Sequence, residues 1–405
     1  MRRTARLIAA AAALGLFTMG GTAAAAVQVG SSGWQWGNPL PQGNTIAASS
    51  FSGATGYAVG EFGTIIKTTD GGSTWAGLSS GTFTNLGEVQ AIDPQALFVG
   101  GVCVARRSDD GGATFTRVAF TPVESSCPQP LAASSWVSRT TGYLVLADGT
   151  VLRTDNNGQS FATKIPVPGT PATQGNKSVN DIVFLTADVG LATTSEGKIY
   201  RTTDGAGSWT VVNDTNRQVR KFTFRDANNG VAVGDQSLFL ATTNGGVSWT
   251  PKALALSGPQ NLRDVSCASD KVCIMSTGTN SLVSTTDGGD AGVLVAPSQN
   301  TLNTASFATG ARVAALGATG ATSISDDAGG TFRTIGGRLS GTYSSIIAGP
   351  ANVAFAPGDN GGFARTNDGG QTWSRGSVAT SEDVLGVSFP TATEGFALDV
   401  AGGLF

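Results

Sequence analysis

The chain contains no histidine. That absence removes histidine-based catalytic triads, imidazole proton shuttles and the usual zinc sites from the functions open to it. Charged residues are sparse at 13% of the total. No amphipathic helical pattern follows the N-terminal segment, and no later run reaches the roughly 18 uncharged apolar residues that a membrane helix needs. No membrane span is therefore expected. Cysteine is limited to Cys103, Cys127, Cys267 and Cys273, with no close C-x-x-C pair, which argues against a metal site. No cofactor, metal or catalytic residue is assigned.

The first 26 residues have the form of a secretory signal. Arg2, Arg3 and Arg6 precede the short apolar run Leu7–Met19, and Ala24-Ala25-Ala26 supplies a small-residue cleavage site. The expected organisation is a signal peptide over 1–26 and one domain over 27–405, in a bacterial protein that is secreted or held in the cell envelope. Removing those three arginines from the 25 basic residues leaves 22 against 28 acidic ones, a net charge of −6. A mildly acidic chain with scattered lysine and arginine argues against nucleic acid as a partner. Four cysteines suit an oxidising compartment. Three connectivities are open; proximity favours Cys267 with Cys273 across a hairpin and Cys103 with Cys127.

Glycine is abundant, at 57 residues, and much of it falls in one recurring phrase. KTTDGGSTW at Lys67–Trp75 returns as RTNDGGQTW at Arg365–Trp373, and related turns carry Asp110, Asn156, Asp204, Asn244, Asp287 and Asp327. With Asp70 and Asp368 there are eight copies at a spacing of about 40 residues, the Asp287 copy lacking its closing aromatic. Short alternating strands precede each turn. Four strands of four to six residues per unit, repeated radially, predict an all-β propeller of four-stranded blades. In each turn the Asp or Asn side chain is expected to accept backbone N–H groups, and the Trp or Phe to pack between blades.

The phrase S/T-x-D-x-G-x-T-W/F resembles the Asp-box (BNR) repeat. That repeat occurs in sialidases, xyloglucan-cleaving propellers, sortilin-type receptors and the photosystem II stability/assembly factor family, and GYAVGEFGTIIKTTDGGSTW looks most like the last. About eight blades are expected. A ninth would form if the N-terminal strand at Trp34–Trp36 completed the incomplete unit Val384–Phe405.

Aligning the first strand of each unit points to the channel lining. Most of these strands carry small neutral residues at their second and third positions. Three adjacent ones carry Asn180-Asp181, Arg220-Lys221 and Arg263-Asp264, with Arg217 just upstream. Such a cluster can dock a polar ligand or an acidic protein segment; the alternative is salt bridging between neighbouring blades. The loops Phe120–Pro130 and Ala162–Ser178 are expected on the same face.

A sialidase needs a tyrosine nucleophile with a partner acid, and Tyr343, the one tyrosine in a first strand, has no acid beside it. A xyloglucanase-like hydrolase needs two facing carboxylates, for which Asp181 and Asp264 are the candidates. The acidic turns lack the glutamate that closes a calcium loop. The resemblance implies a non-enzymatic module that binds another envelope or secreted protein and assists its assembly. A carbohydrate-active propeller, hydrolytic or lectin-like, is the second reading.

Overall fold

The computed structural model describes residues 27–29, 34–36, 44–120, 127, 129–298, 300–334, 347–348, 353–366, 374–388 and 395–405. The expected signal peptide, the turn carrying Asp368 and most of the loop after Phe120 lie outside them. Among the described residues are eight four-stranded antiparallel sheets and two two-stranded ones. The chain is an all-β propeller, and eight four-stranded units match the eight turns.

Seven of the eight sheets form a ring. Their innermost strands are Ile46–Ser52, Leu86–Ala91, Leu131–Trp136, Val179–Phe184, Val219–Phe224, Asp264–Cys267 and Leu302–Phe307. Each touches the next around the ring, and Leu302–Phe307 touches Ile46–Ser52. The ring thus closes between the first and seventh sheets. Trp34–Trp36 pairs instead with Val27–Val29, so the closure expected through that strand is not the one observed. The eighth sheet and the hairpin Val384–Ser388/Phe396–Asp399 share their own apolar core of Phe355, Val384, Val387 and Ala397.

The ring's core lies between sheets. Trp75 of the first sheet packs with Ala314, Leu316 and Ile324 of the seventh. Trp249 of the fifth packs with Leu191 and Ile199 of the fourth. Among the described residues the closing aromatics Trp75, Phe115, Phe161, Trp209, Trp249 and Phe332 pack against the preceding sheet, which is why the turn and the aromatic travel together in the sequence.

The turns are built alike. Asp70 Oδ1 accepts from Thr68 Oγ1 at 2.8 Å and Thr74 N at 2.9 Å, while Oδ2 accepts from Thr74 Oγ1 at 2.6 Å. Thr68 Oγ1 in turn accepts from Gly72 N at 2.9 Å. Asp110, Asp204 and Asp327 repeat this set. Asn156 and Asn244 keep the acceptor role and donate through Nδ2 to Ser160 and Ser248. Asp287, in the copy without an aromatic, accepts from Asp290 N and Ala291 N.

Both expected disulfides are present, Cys103–Cys127 and Cys267–Cys273. The second spans a directly paired position between adjacent strands.

Candidate binding site at the channel mouth

A bulge recurs in the inner strands and decides what faces the channel. Register shifts occur between Ile46 and Ala48, Leu86 and Glu88, Leu131 and Ala133, Val179 and Asp181, Val219 and Lys221, and Leu302 and Thr304. In the sixth sheet Arg263 N bonds Ser276 O, although Ser276 already pairs with Asp264. An extra residue re-aims the side chains around it. The bulged position holds Ala47, Gly87, Ala132, Asn180, Arg220, Arg263 and Asn303 around the mouth. The following position holds Ala48, Glu88, Ala133, Asp181, Lys221, Asp264 and Thr304, half-buried or buried, with Ala48 and Ala133 packed against the cores between sheets.

Several of these residues latch sheets together. Asp181 Oδ2 accepts from Phe222 N at 2.8 Å, and its Oδ1 accepts from the Lys221 ammonium at 2.9 Å. Asp264 Oδ2 accepts from Thr304 Oγ1 at 2.8 Å. Asn180 Nδ2 donates to Val219 O at 2.7 Å, and Asn303 Nδ2 makes the matching bond to Ile46 O across the closure. One turn further along the strands, Ser50, Gln90, Ser135 and Ser266 accept from the backbone N–H of the next sheet at 2.8–3.0 Å. Asn180, Asp181, Lys221 and Asp264 are thus held by neighbouring sheets.

Glu88 extends the charged set beyond the three adjacent sheets expected. Its Oε1 accepts from Ser134 N at 2.6 Å. The acid stands at the third place of LGEVQA, so the signal was there in the alignment of inner strands. Burial pushes the Glu88 carboxyl up, against the Lys221 charge and the Ser134 hydrogen bonds. Burial likewise raises Asp264, against Lys221 and Thr304. For Lys221, burial works to lower the ammonium, but Asp181, Asp264 and Glu88 together raise it. Its side chain is 39% exposed, so channel water screens these attractions in part.

Arg217, Arg220 and Arg263 stand apart from the latches. Arg217 Nη1 donates to Gln236 O at 3.1 Å. Arg220 pairs with Asp235 through Nη2 and Oδ2 at 3.1 Å. Arg263 is exposed and its guanidinium bonds nothing among the described residues. It lies across Gly278, whose φ is +70° and where a Cβ would fall 2.3 Å from Arg263 Nε. A residue with a side chain there would displace the arginine.

Among the described residues no cluster of cysteine, aspartate or glutamate has the makings of a metal site. No helix among them is long and apolar enough to cross a membrane. Asp181 and Asp264, the candidate carboxylate pair, are both occupied by donors from the neighbouring sheet. The loop Ala162–Ser178 is partly core, since Val167 and Thr170 are fully buried and Thr170 Oγ1 donates to Val167 O at 2.6 Å.

Seven sheets closed around a channel and fastened by Asp-box turns define the class: an Asp-box β-propeller with a charged mouth. The comparisons then narrow the resemblance. Residues 210–343 match the family described as Photosynthesis system II assembly factor YCF48. YCF48 from Cyanidioschyzon merolae is similar at 20% identity and a TM-score of 0.54, over 70% of this chain and 96% of that one. A YCF48 bound to D1 peptide is similar at 20% identity and a TM-score of 0.47, over 78% and 90%. The Myceliophteria thermophila Cps50 (Swd1) β-propeller domain is 12% identical at a TM-score of 0.56, over 70% and 97%. No curated protein sequence matches the chain. Residues 210–343 thus resemble the assembly-factor family, and the structural likenesses speak for the fold of the chain.

Proposed function

We propose that this propeller is an exported, non-enzymatic binding module that holds an acidic or polar segment of another envelope or secreted protein across its channel mouth. It would act as an assembly or stability factor for that partner. The observation that carries the reading is Arg263, an exposed guanidinium that has no counter-ion among the described residues. An exposed arginine fork is suited to carboxylates. Arg220 and Arg217 extend the same rim and keep donors for a ligand beyond those used by Asp235 and Gln236. The match of residues 210–343 to an assembly-factor family supports a protein as the ligand, as does the D1 peptide bound by a YCF48.

The test is affinity capture from solubilised native envelope, comparing the wild type with Arg263→Asp. That substitution removes no hydrogen bond among the described residues, so the melting temperature should stay within a degree or two. A specific protein retained by the wild type and lost by the variant is the expected result. Equal retention by both moves the site away from the arginines. If nothing is retained by either, a glycan-binding and hydrolysis screen becomes the next step.

A further inference from the structure

Opposite the arginines, between the first three sheets, the mouth opens into a cavity of about 370 Å³. Its walls include Ala47, Gly87, Val102 and Leu131, and its carboxylates are Glu61 and Glu88. Among the described residues no lysine or arginine lines it. Glu61 Oε2 accepts from Thr45 N at 3.2 Å. Glu88 uses Oε1 for Ser134 N, while its Oε2 accepts no hydrogen bond among the described residues and lies 3.4 Å from where a Cβ on Gly100 would stand. The cavity therefore has an apolar wall and an under-used carboxylate.

Two kinds of side chain fit the volume, and the carboxylate decides between them. An apolar guest would strip water from Glu88 Oε2 and leave it without a donor, which is unfavourable for any buried polar group and more so for a charged one. A lysine side chain lays its methylene stem on apolar wall and delivers an ammonium to the acceptor. The charge balance points the same way. Among the described residues, Glu88 and Asp264 share with Asp181 the attraction of Lys221, whose ion pair is with Asp181, so Glu88 has no ion-pair partner of its own.

We propose that the cavity around Glu88 is a receptor for a lysine side chain of the bound segment. This deepens, and for the segment rests on, the partner reading above. The partner segment would then carry both signs of charge, an acidic group on the Arg263 side and a lysine on the Glu88 side of the same mouth.

The experiment uses the mature protein with isotope-labelled methyl groups and N-acetyl-lysine N-methylamide as the probe. Saturable shifts at the Val102 and Leu131 methyl signals are expected, with the norleucine analogue weaker by about ten-fold or more. Glu88→Gln keeps an acceptor for Ser134 N and should weaken the lysine probe by a similar factor. Gly87→Leu is an independent plug, because a Cβ at Gly87 meets nothing within 4 Å; it should abolish the shifts while the carboxylate remains. Norleucine binding as well as lysine, or Glu88→Gln binding like wild type, would overturn the proposal, as would the absence of saturable shifts. The probe needs no partner, so the two readings fail separately. A captured partner without a lysine effect removes the cavity's role alone, and a lysine effect without a captured partner leaves the cavity standing.

Discussion

The guanidinium of Arg312 in the seventh sheet donates from Nη1 to the carbonyl of Asp70 at 3.0 Å and to the Ser73 hydroxyl at 2.8 Å, joining residues 242 and 239 positions apart. It fastens the outer part of the ring closure, as Asn303 and Ser49 fasten the inner part. Arg312→Ala should cost about 1–3 kcal/mol in urea unfolding, the range for hydrogen bonds that involve a charged group. Arg139→Ala is the control, because it removes an exposed pair with Asp93 worth about 0–1 kcal/mol. Equal small losses would mean that Arg312 adds nothing to closure beyond a surface ion pair.

The Asp-box turns make a second comparison possible. Asp70→Ala removes acceptors for Thr68 and Thr74 and should destabilise by about 1–3 kcal/mol. Asp70→Asn should cost clearly less, because Asn156 and Asn244 occupy the same place and keep the bond to the backbone. Denaturant midpoints of the two variants check the ordering. An alanine variant no worse than the asparagine one would remove the fastener role.

These turns also set an acid limit. Hydrogen bonds from Ser208 and then Thr202 hold Asp204 down at about 2, and the Thr331 and Ser325 bonds do the same for Asp327. Asp70 is lowered as well, since the bonds from Thr74 and Thr68 outweigh its partial burial. A carboxylate whose folded value is depressed adds stability above its unfolded value, near 3.8, and loses it as pH falls toward the folded one. Melting temperature should therefore drop between about pH 4 and pH 2. The double variant Asp204→Asn/Asp327→Asn should drop less steeply over that window. Parallel curves for the two proteins would mean that other groups govern acid unfolding.

Much of this architecture could be read from local pattern, and the part that could not is the part set by distant contacts. The turns repeat because each uses a Thr or Ser and an Asp or Asn, with a closing aromatic in all but the Asp287 copy, within eight residues, so the repeat and the fastener were visible in the chain. Closure was not. It depends on Trp75 meeting Ala314 and Ile324, and nothing near Trp75 encodes that partner. The mouth was half visible. Aligned inner strands placed Asn180, Arg220 and Arg263 together, but the bulge that separates the second position from the third is a backbone event. Without it Arg263 and Asp264 look like one cluster, although one is free at the mouth and the other is bonded to Thr304. Ser50, Ser135 and Ser266, further along the same strands, carried no signal of their own, and they are latches between sheets.

Among the described residues, Lys221 is the cation that answers Asp181, Asp264 and Glu88. Lys221→Met keeps the stem and removes the charge, leaving Asp181 paired with Phe222 N alone. Breaking a well-buried pair from one side costs several kcal/mol, but water in the channel reaches Lys221, so about 1–3 kcal/mol is expected at pH 7. Protonation of the remaining carboxylates relieves the repulsion among them. Because burial raises Glu88 and Asp264, their charge diminishes at a higher pH than that of an ordinary carboxylate, and the gap between variant and wild type should narrow as pH falls from 7 to 5. Adding Asp264→Asn to Lys221→Met should recover part of the loss at pH 7, since the amide still accepts from Thr304. A loss that is independent of pH and unrelieved by Asp264→Asn would mean that Lys221 stabilises the channel by packing, with charge playing no part.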